Sequence, residues 1–392
     1  MAKVIAIKLG PEGLGIIGQL NSFVLIIMTL STGAITNGVV KYIAQYNDDI
    51  EKQNKVIHAA ISITLLCTLF FSLVVGIGSS FWSSYIFNGN KEYLGVFLVF
   101  GLSLVFYSTF NLFVSILNGL QLYKKFNLLN ILTSIVGLIF SVVLIFQFGL
   151  MGALYATVTY QSVVFVLLFF FARKSKRFKR NALFNFSDTG IYKGLLSFSM
   201  MTLVSTICVP YVQILIRKFI HETCGAVQMG YYEGITRISV LYLTMITTTL
   251  SVYYLPRLSE LKNRGDIKKE VWYGYKIIIP ALLAFCIVIY FSRYLVISLV
   301  FTNSFTEMAI LFLPQLIGDV FKIASWLLAF MMLAKAMTKQ FIVTEIFFSV
   351  SLYIFTILFV NWFGVIGAIY AYTLNYFLYL VTMLILFRKI VF

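Results

Sequence analysis

The chain has 392 residues, of which 60% are hydrophobic, 17% are aromatic and only 11% are charged. A soluble domain is about half apolar and about a quarter charged, so this chain cannot bury its apolar surface by folding in water. Its mean hydropathy of +0.95 predicts an integral membrane protein without a sizeable soluble domain. The long, unbroken apolar runs favour membrane-spanning helices over the alternating strands of a β-barrel.

The predicted elements begin with an apolar stub at residues 1–9. It is too short to cross a bilayer, because a spanning helix needs about 20 apolar residues. A strongly basic stretch at residues 173–190 interrupts the later apolar runs and predicts a linker between two halves. Eleven apolar segments follow the stub in chain order, at residues 15–46, 56–80, 93–118, 126–148, 149–172, 191–217, 227–256, 273–301, 307–334, 340–361 and 364–387.

The net charge of +16 is interpreted as a signal of membrane topology, and we expect no nucleic-acid partner. Summed over alternate connections, one side carries 22 lysines and arginines and the other carries five. Basic residues collect in cytoplasmic loops, so the richer side, which includes the linker and the C-terminus, is predicted to be cytoplasmic. The five residues assigned to the opposite side are Lys8, Lys91, Arg217, Lys218 and Arg293.

An internal repeat relates the two halves. Residues 149–156 read GLMGALYA and residues 364–371 read GVIGAIYA, 215 positions later. Lys124 has its counterpart in Lys339 at the same offset. The offset spans six helices, and an even number of crossings preserves orientation, so the repeats are parallel, as in many transporters.

The sequence therefore predicts an all-α polytopic membrane protein built from two pseudo-symmetric six-helix bundles around a central cavity. The N-terminal bundle occupies residues 1–172, the basic cytoplasmic linker residues 173–190, and the C-terminal bundle residues 191–392. Twelve helices are expected, and the first is truncated to the stub. We expect a missing front segment rather than a helix that is naturally curtailed.

Several sequence blocks together resemble a known family, the Wzx-type lipid-linked oligosaccharide flippases of Gram-negative bacteria. These belong to the multidrug/oligosaccharidyl-lipid/polysaccharide exporter superfamily, and the likeness is closest to the flippases for the lipid III of enterobacterial common antigen. The blocks that carry the resemblance are GPEGLG at 10–15, NGVVKYIAQYND at 37–48, SVYYLPRLSEL at 251–261, GDIKKEV at 265–271 and QLIGDVFKIASWLLAFMMLAKA at 315–336.

The resemblance implies a transporter of the bacterial inner membrane. Its substrate would be an undecaprenyl-diphosphate-linked oligosaccharide, either common-antigen lipid III or an O-antigen unit of lipopolysaccharide biosynthesis. The chain would move this lipid from the cytoplasmic to the periplasmic leaflet by alternating access. Membrane lipids and the polymerase and chain-length proteins of polysaccharide assembly are the expected partners, and no cofactor is expected.

Charged residues inside apolar segments are functional candidates, because burying a charge in a bilayer is expensive. Glu233 and Arg237 lie four residues apart and share one helical face. They form either a neutralised structural pair or a site in which Arg237 binds a substrate phosphate.

Asp319 and Lys322 form a second candidate set at i,i+3. They are either an internal pair or a transport site in which Asp319 binds a coupling proton and Lys322 helps to offset the diphosphate charge. Lys41 is a membrane anchor or a phosphate contact. The resemblance suggests the same role for Lys3, because the first helix of this superfamily often presents a basic residue there.

Two rival functions are weighed against flipping. A multidrug exporter of the same superfamily predicts a cavity rich in acids, whereas bases exceed acids within these apolar runs. A membrane polymerase needs a catalytic periplasmic loop, and the predicted periplasmic connections are short. GLGIIG at 13–18 lacks the strand and βαβ unit of a dinucleotide site, and the four cysteines and two histidines have no metal-ligand spacing.

Overall fold

The computed structural model describes residues 1–47, 49–172, 189–261, 263–335 and 337–388, and all regular structure within these ranges is helical. Most of the predicted basic linker, residues 173–188, lies outside the described residues. The helices are α1 (Ala2–Ser31), α2 (Thr36–Gln45), α3 (Ile50–Ile77), α4 (Ser79–Ile86), α5 (Leu94–Gly119), α6 (Tyr123–Ala172), α7 (Thr189–Cys224), α8 (Ala226–Thr249), α9 (Leu255–Glu260), α10 (Arg264–Phe291), α11 (Arg293–Val300), α12 (Phe312–Ala334), α13 (Thr338–Phe363) and α14 (Val365–Leu386).

Within the described ranges, ten helical stretches are long and apolar enough to cross a membrane. The α6 stretch contains two of the predicted segments, 126–148 and 149–172, on either side of a backbone reversal at Gly149 (φ 57°, ψ −131°). A Cβ built on Gly137 would lie 2.8 Å from Cδ2 of Tyr160. Positions on opposite sides of Gly149 are therefore neighbours, and α6 is a hairpin of two crossings. The prediction of a polytopic all-helical membrane protein is confirmed.

The backbone repeats the 215-residue period found in the sequence. Gly149 has its counterpart in Gly364, which separates α13 from α14 with φ 66° and ψ −150°. Gly10 breaks α1 at φ 64°, and its counterpart Gly225 separates α7 from α8 at φ 93°. Only glycine adopts these positive φ values readily, which explains why both copies of the repeat keep it there.

The two halves differ at one equivalent place. In the first half, α1 stops at Ser31, and a turn with Gly33 and Ala34 at positive φ precedes α2. In the second half, a π-helical turn at Leu250–Tyr254 carries α8 directly into α9. A π turn holds an extra residue within a continuous helix, so the same connection is a break in one half and a bulge in the other.

The chain forms two compact units. One comprises Met1 and Gln19–Tyr211, and the other comprises Ala2–Gly18 and Val212–Phe392. The first part of α1 thus belongs to the second unit. The partition at residues 173–190 stays a prediction, because most of that linker is outside the described residues.

Each unit has its own apolar core. In the first unit, fully buried side chains such as Val39 and Val56 pack where α2, α3 and α5 meet. In the second unit, α12 packs on α14 and α10, and Leu327 and Met383 are fully buried among them. Polar groups buried in this second unit form the candidate site.

Candidate functional site

Glu233, on α8, is held between two arginines. Its Oε2 accepts a hydrogen bond from Nε of Arg217 on α7 at 2.8 Å, and its Oε1 accepts one from Nε of Arg237 at 2.6 Å. The side chains of Arg217 and Glu233 are only 7% and 6% exposed. Two arginines on one carboxylate leave an excess of positive charge within membrane-spanning helices. We call these three residues the charge triad.

The carboxylate of the charge triad occupies a slot against α1. Gly18 faces it so closely that a Cβ at this position would lie 2.6 Å from Oε1 of Glu233. On the α7 side, the Tyr232 hydroxyl donates to Oε1 of Gln213 at 3.0 Å, one turn from Arg217. The slot therefore fixes Glu233 from α1 and α7 as well as from its own helix.

Gly18→Ala should lower the melting temperature, because the added methyl group overlaps a carboxyl group that two arginines tether. Overpacking of this kind costs about 1–3 kcal/mol. Thermal unfolding of the purified variant measures the effect. Gly76→Ala is the matched control, since a Cβ at Gly76 has no described atom within 4 Å. Equal melting temperatures for the two variants would show that the slot tolerates the methyl group.

Arg237 is the accessible member of the charge triad. Its side chain is 24% exposed, compared with 7% for Arg217. Its Nη2 is buried and has no hydrogen-bond partner among the described residues. A guanidinium carries five donors in a planar fork that matches carboxylate or phosphate oxygens. Arg237 therefore holds Glu233 through Nε and retains donor capacity for an anion.

Asp319, on α12, is fully buried and accepts hydrogen bonds from three helices. Ser239 Oγ donates to both of its oxygens at 2.8 Å, and Tyr242, also on α8, donates to Oδ2. Tyr372 on α14 donates to Oδ1 at 2.7 Å, and Gln315 Nε2 donates to the same oxygen at 3.1 Å. These donors connect α8, α12 and α14 through one carboxylate. We call this set the carboxylate clasp.

Among the described residues, Lys322 makes no ion pair with Asp319 within 4 Å. Its ammonium lies among three aromatic rings instead, 5.1 Å from the centroids of Trp326 and Tyr376 and 5.5 Å from that of Tyr372. Ring faces stabilise a cation. Tyr372 thus contacts both charged groups, with its hydroxyl on Asp319 and its ring beside Lys322.

The other two predicted site residues lie elsewhere. Lys41 is exposed on α2 in the first unit, with its ammonium 5.6 Å from the ring centroid of Tyr42. The Lys3 ammonium donates to the carbonyl oxygens of Ser298 and Phe301 at the C-terminal end of α11. Helix C-termini present unpaired carbonyls, which a cation satisfies. Lys3 therefore caps α11 in this structure.

The sequence predicts Arg217 in a periplasmic connection, and this prediction is wrong. The residue is buried within α7, which continues to Cys224. Arg217 lies at the end of an apolar run beside Lys218, and two adjacent basic residues at that place are typical of a loop that follows a spanning helix. The tyrosines of the carboxylate clasp were also missed, since the chain has 24 tyrosines and spacing alone does not single out any of them.

Comparisons with known proteins give one family and several relatives. Residues 3–262 match the family described as polysaccharide biosynthesis protein. The Lipid III flippases of Escherichia coli (strain K12) and Shigella flexneri are each 28% identical over 383 residues, covering 97% of this chain and 91% of the relative. A multidrug resistance MATE family transporter of the MOP superfamily, solved facing inward, superimposes with a TM-score of 0.77 at 17% identity, over 99% of this chain and 92% of that one. This last likeness shows the fold.

Proposed function

This chain belongs to the polysaccharide biosynthesis protein family, and from that premise we propose that it flips an undecaprenyl-diphosphate-linked oligosaccharide. Transport runs from the cytoplasmic to the periplasmic leaflet of the bacterial inner membrane by alternating access. The Lipid III flippases that match 97% of the chain support this substrate class. The glycan is common-antigen lipid III or an O-antigen unit.

The charge triad is the observation that carries the proposal. A flippase must bring a diphosphate and a polar glycan through about 30 Å of hydrocarbon. The diphosphate needs a positive partner there, because an isolated charge in a low-dielectric medium is strongly unfavourable. Arg237 supplies a permanent charge and a buried Nη2 donor that has no partner among the described residues. The substrate diphosphate competes with Glu233 for this guanidinium.

The carboxylate clasp is the proposed coupling site. Protonation turns one Asp319 oxygen into a donor, so the carboxyl group can no longer accept from all of Ser239 and Tyr242 of α8 and Tyr372 of α14. Binding of a proton therefore weakens the attachment of α8 and α14 to α12. The Lys322 ammonium beside Tyr372 balances the charge of this site, and its aromatic surroundings favour that role over direct contact with the substrate.

Two lysines and two classes of protein partner extend the proposed function. Lys41, exposed on α2, is a further phosphate contact at the membrane surface. Polymerase and chain-length proteins of polysaccharide assembly are the proposed protein partners. The Lys3 ammonium donates to the carbonyl oxygens of Ser298 and Phe301 at the end of α11. Lys3 would have to leave these carbonyls in order to contribute to the substrate site.

A multidrug exporter is the second function that the fold supports. Such a transporter needs acids available to a cationic drug. Here Glu233 is engaged by two arginines and Asp319 by hydroxyl and amide donors. The geometry favours an anionic substrate over a cationic one.

Depletion of the protein in its own host should cause a polyprenyl-linked oligosaccharide to accumulate, because synthesis continues while export stops. Mass spectrometry of lipid extracts identifies the glycan and separates lipid III from an O-antigen unit. Re-expression of the parent chain should clear the intermediate. Depletion without any change in polyprenyl-linked sugars, together with increased sensitivity to cationic dyes, would favour the drug-export function instead.

A further inference from the structure

We propose that Arg217 is a resident counter-ion that keeps Glu233 neutralised while Arg237 binds the substrate anion. This inference rests on the proposed function and assigns Arg217 a role of its own within the charge triad. Arg217 does not contact the substrate in this scheme. It is a positioning residue that acts through Glu233.

The contacts divide the carboxylate between two partners. Arg217 binds Oε2 and Arg237 binds Oε1, each through Nε, so neither arginine displaces the other. Release of Arg237 from Oε1 leaves the bond between Arg217 and Oε2 in place. Arg217 and Arg237 also lie on different helices, α7 and α8, so one can move without the other.

Burial explains why the second arginine is needed. Glu233 is 6% exposed and is enclosed on the α1 side by Gly18, so water cannot replace a lost partner. With only one arginine, an anion that takes Arg237 would leave an unpaired carboxylate in the membrane. A broken buried pair of this kind is strongly destabilising. With Arg217 present, the Glu233 carboxylate keeps a counter-ion. The positive charge of Arg237 is then available to the bound anion.

The difference in exposure assigns the two roles. Arg217 is nearly inaccessible, whereas Arg237 is 24% exposed, and its Nη2 has no partner in the described part of the chain. An anion can reach Arg237 without displacing the inner pair. The charge triad is thus an inner ion pair joined to an outer anion-binding arginine.

Binding of undecaprenyl diphosphate to purified full-length protein in nanodiscs tests the inference. Arg217→Met should weaken binding by about 100-fold or more, because the anion must then leave Glu233 unpaired. The double variant Arg217→Met with Glu233→Gln should bind within about fivefold of the parent, because it has no carboxylate to neutralise. Arg217→Lys keeps a counter-ion and should also bind within about fivefold.

Two outcomes would overturn the counter-ion role. Parental affinity in folded Arg217→Met would show that Glu233 needs no second partner. Weak binding by the double variant would place Arg217 on the anion itself. If Arg217→Met does not fold, the affinity of Glu233→Gln is compared with that of the double variant Arg217→Met with Glu233→Gln. Equal affinities support the inference, and a tenfold difference contradicts it. Failure of the parent to bind, or of Arg237→Ala to weaken binding, counts instead against the proposed function.

Discussion

Arg237→Ala should weaken the binding of undecaprenyl diphosphate by about 10- to 150-fold, since a hydrogen bond to a charged group contributes about 1.5–3 kcal/mol. The variant loses both the permanent charge and the forked donor set. Arg237→Lys keeps the charge but presents a single ammonium, so its loss should be partial, about five- to tenfold. Glu233→Gln should not weaken binding, because it removes the competitor for the guanidinium. Export of the glycan should follow the same order.

Arg293→Ala is the matched control, because it removes an arginine whose guanidinium lies over the rings of Tyr290 and Tyr294, outside the charge triad. Undecaprenol, which has no phosphate, is the control ligand and should bind all variants alike. If Arg237→Ala binds the diphosphate as tightly as the parent, Arg237 is a structural partner of Glu233 and the proposed anion site is wrong.

Asp319→Asn should abolish glycan export while the protein still reaches the membrane. Asparagine has the shape of a protonated carboxyl group, but it cannot accept from all the donors around it. Its amide NH₂ group, a donor, would face the hydroxyl donor of at least one of Ser239, Tyr242 and Tyr372, which leaves that hydroxyl without its acceptor. Each unsatisfied buried group costs about 1–3 kcal/mol. Transport of labelled lipid in cells and the melting temperature of purified protein measure the two effects separately.

The double change Asp319→Asn with Lys322→Met distinguishes coupling from charge balance. Because Lys322 is surrounded by rings and is not within 4 Å of Asp319, we expect the double variant to stay inactive. Full export by the double variant would mean that Asp319 only balances Lys322, and it would exclude a coupling role. Asp266→Asn, the same change at an exposed acid of α10, is the control and should export normally.

The fold was accessible from the sequence because lipid imposes a simple rule. Every spanning segment must be long, apolar and helical, and repeated motifs such as those at 149–156 and 364–371 preserve the architecture of each half. The break after Ser31 and the π turn at Leu250–Tyr254 were not predicted, because both lie within continuous apolar runs. Hydropathy depends on side chains and contains no information on which backbone hydrogen bonds form, so it predicts neither a helix break nor a π turn.

The candidate site was predicted only in part. The i,i+4 spacing correctly paired Glu233 with Arg237. The i,i+3 spacing suggested a direct pair between Asp319 and Lys322, yet hydroxyl groups from other helices occupy the carboxylate. Local spacing reports neighbours on one helix, whereas Arg217 and Tyr372 reach their partners across helices. Those contacts depend on tertiary packing that spacing does not encode.

The slot between Gly18 and Glu233 breaks the symmetry of the internal repeat. The two residues are 215 positions apart, so they are the same position in the two copies of the repeat, and they touch. If both copies of the repeat carried a glutamate at this position, two carboxylates would be set against each other. The contact therefore requires the two copies to differ here, with a glycine in one and an acid in the other. At the charge triad the two halves are not interchangeable.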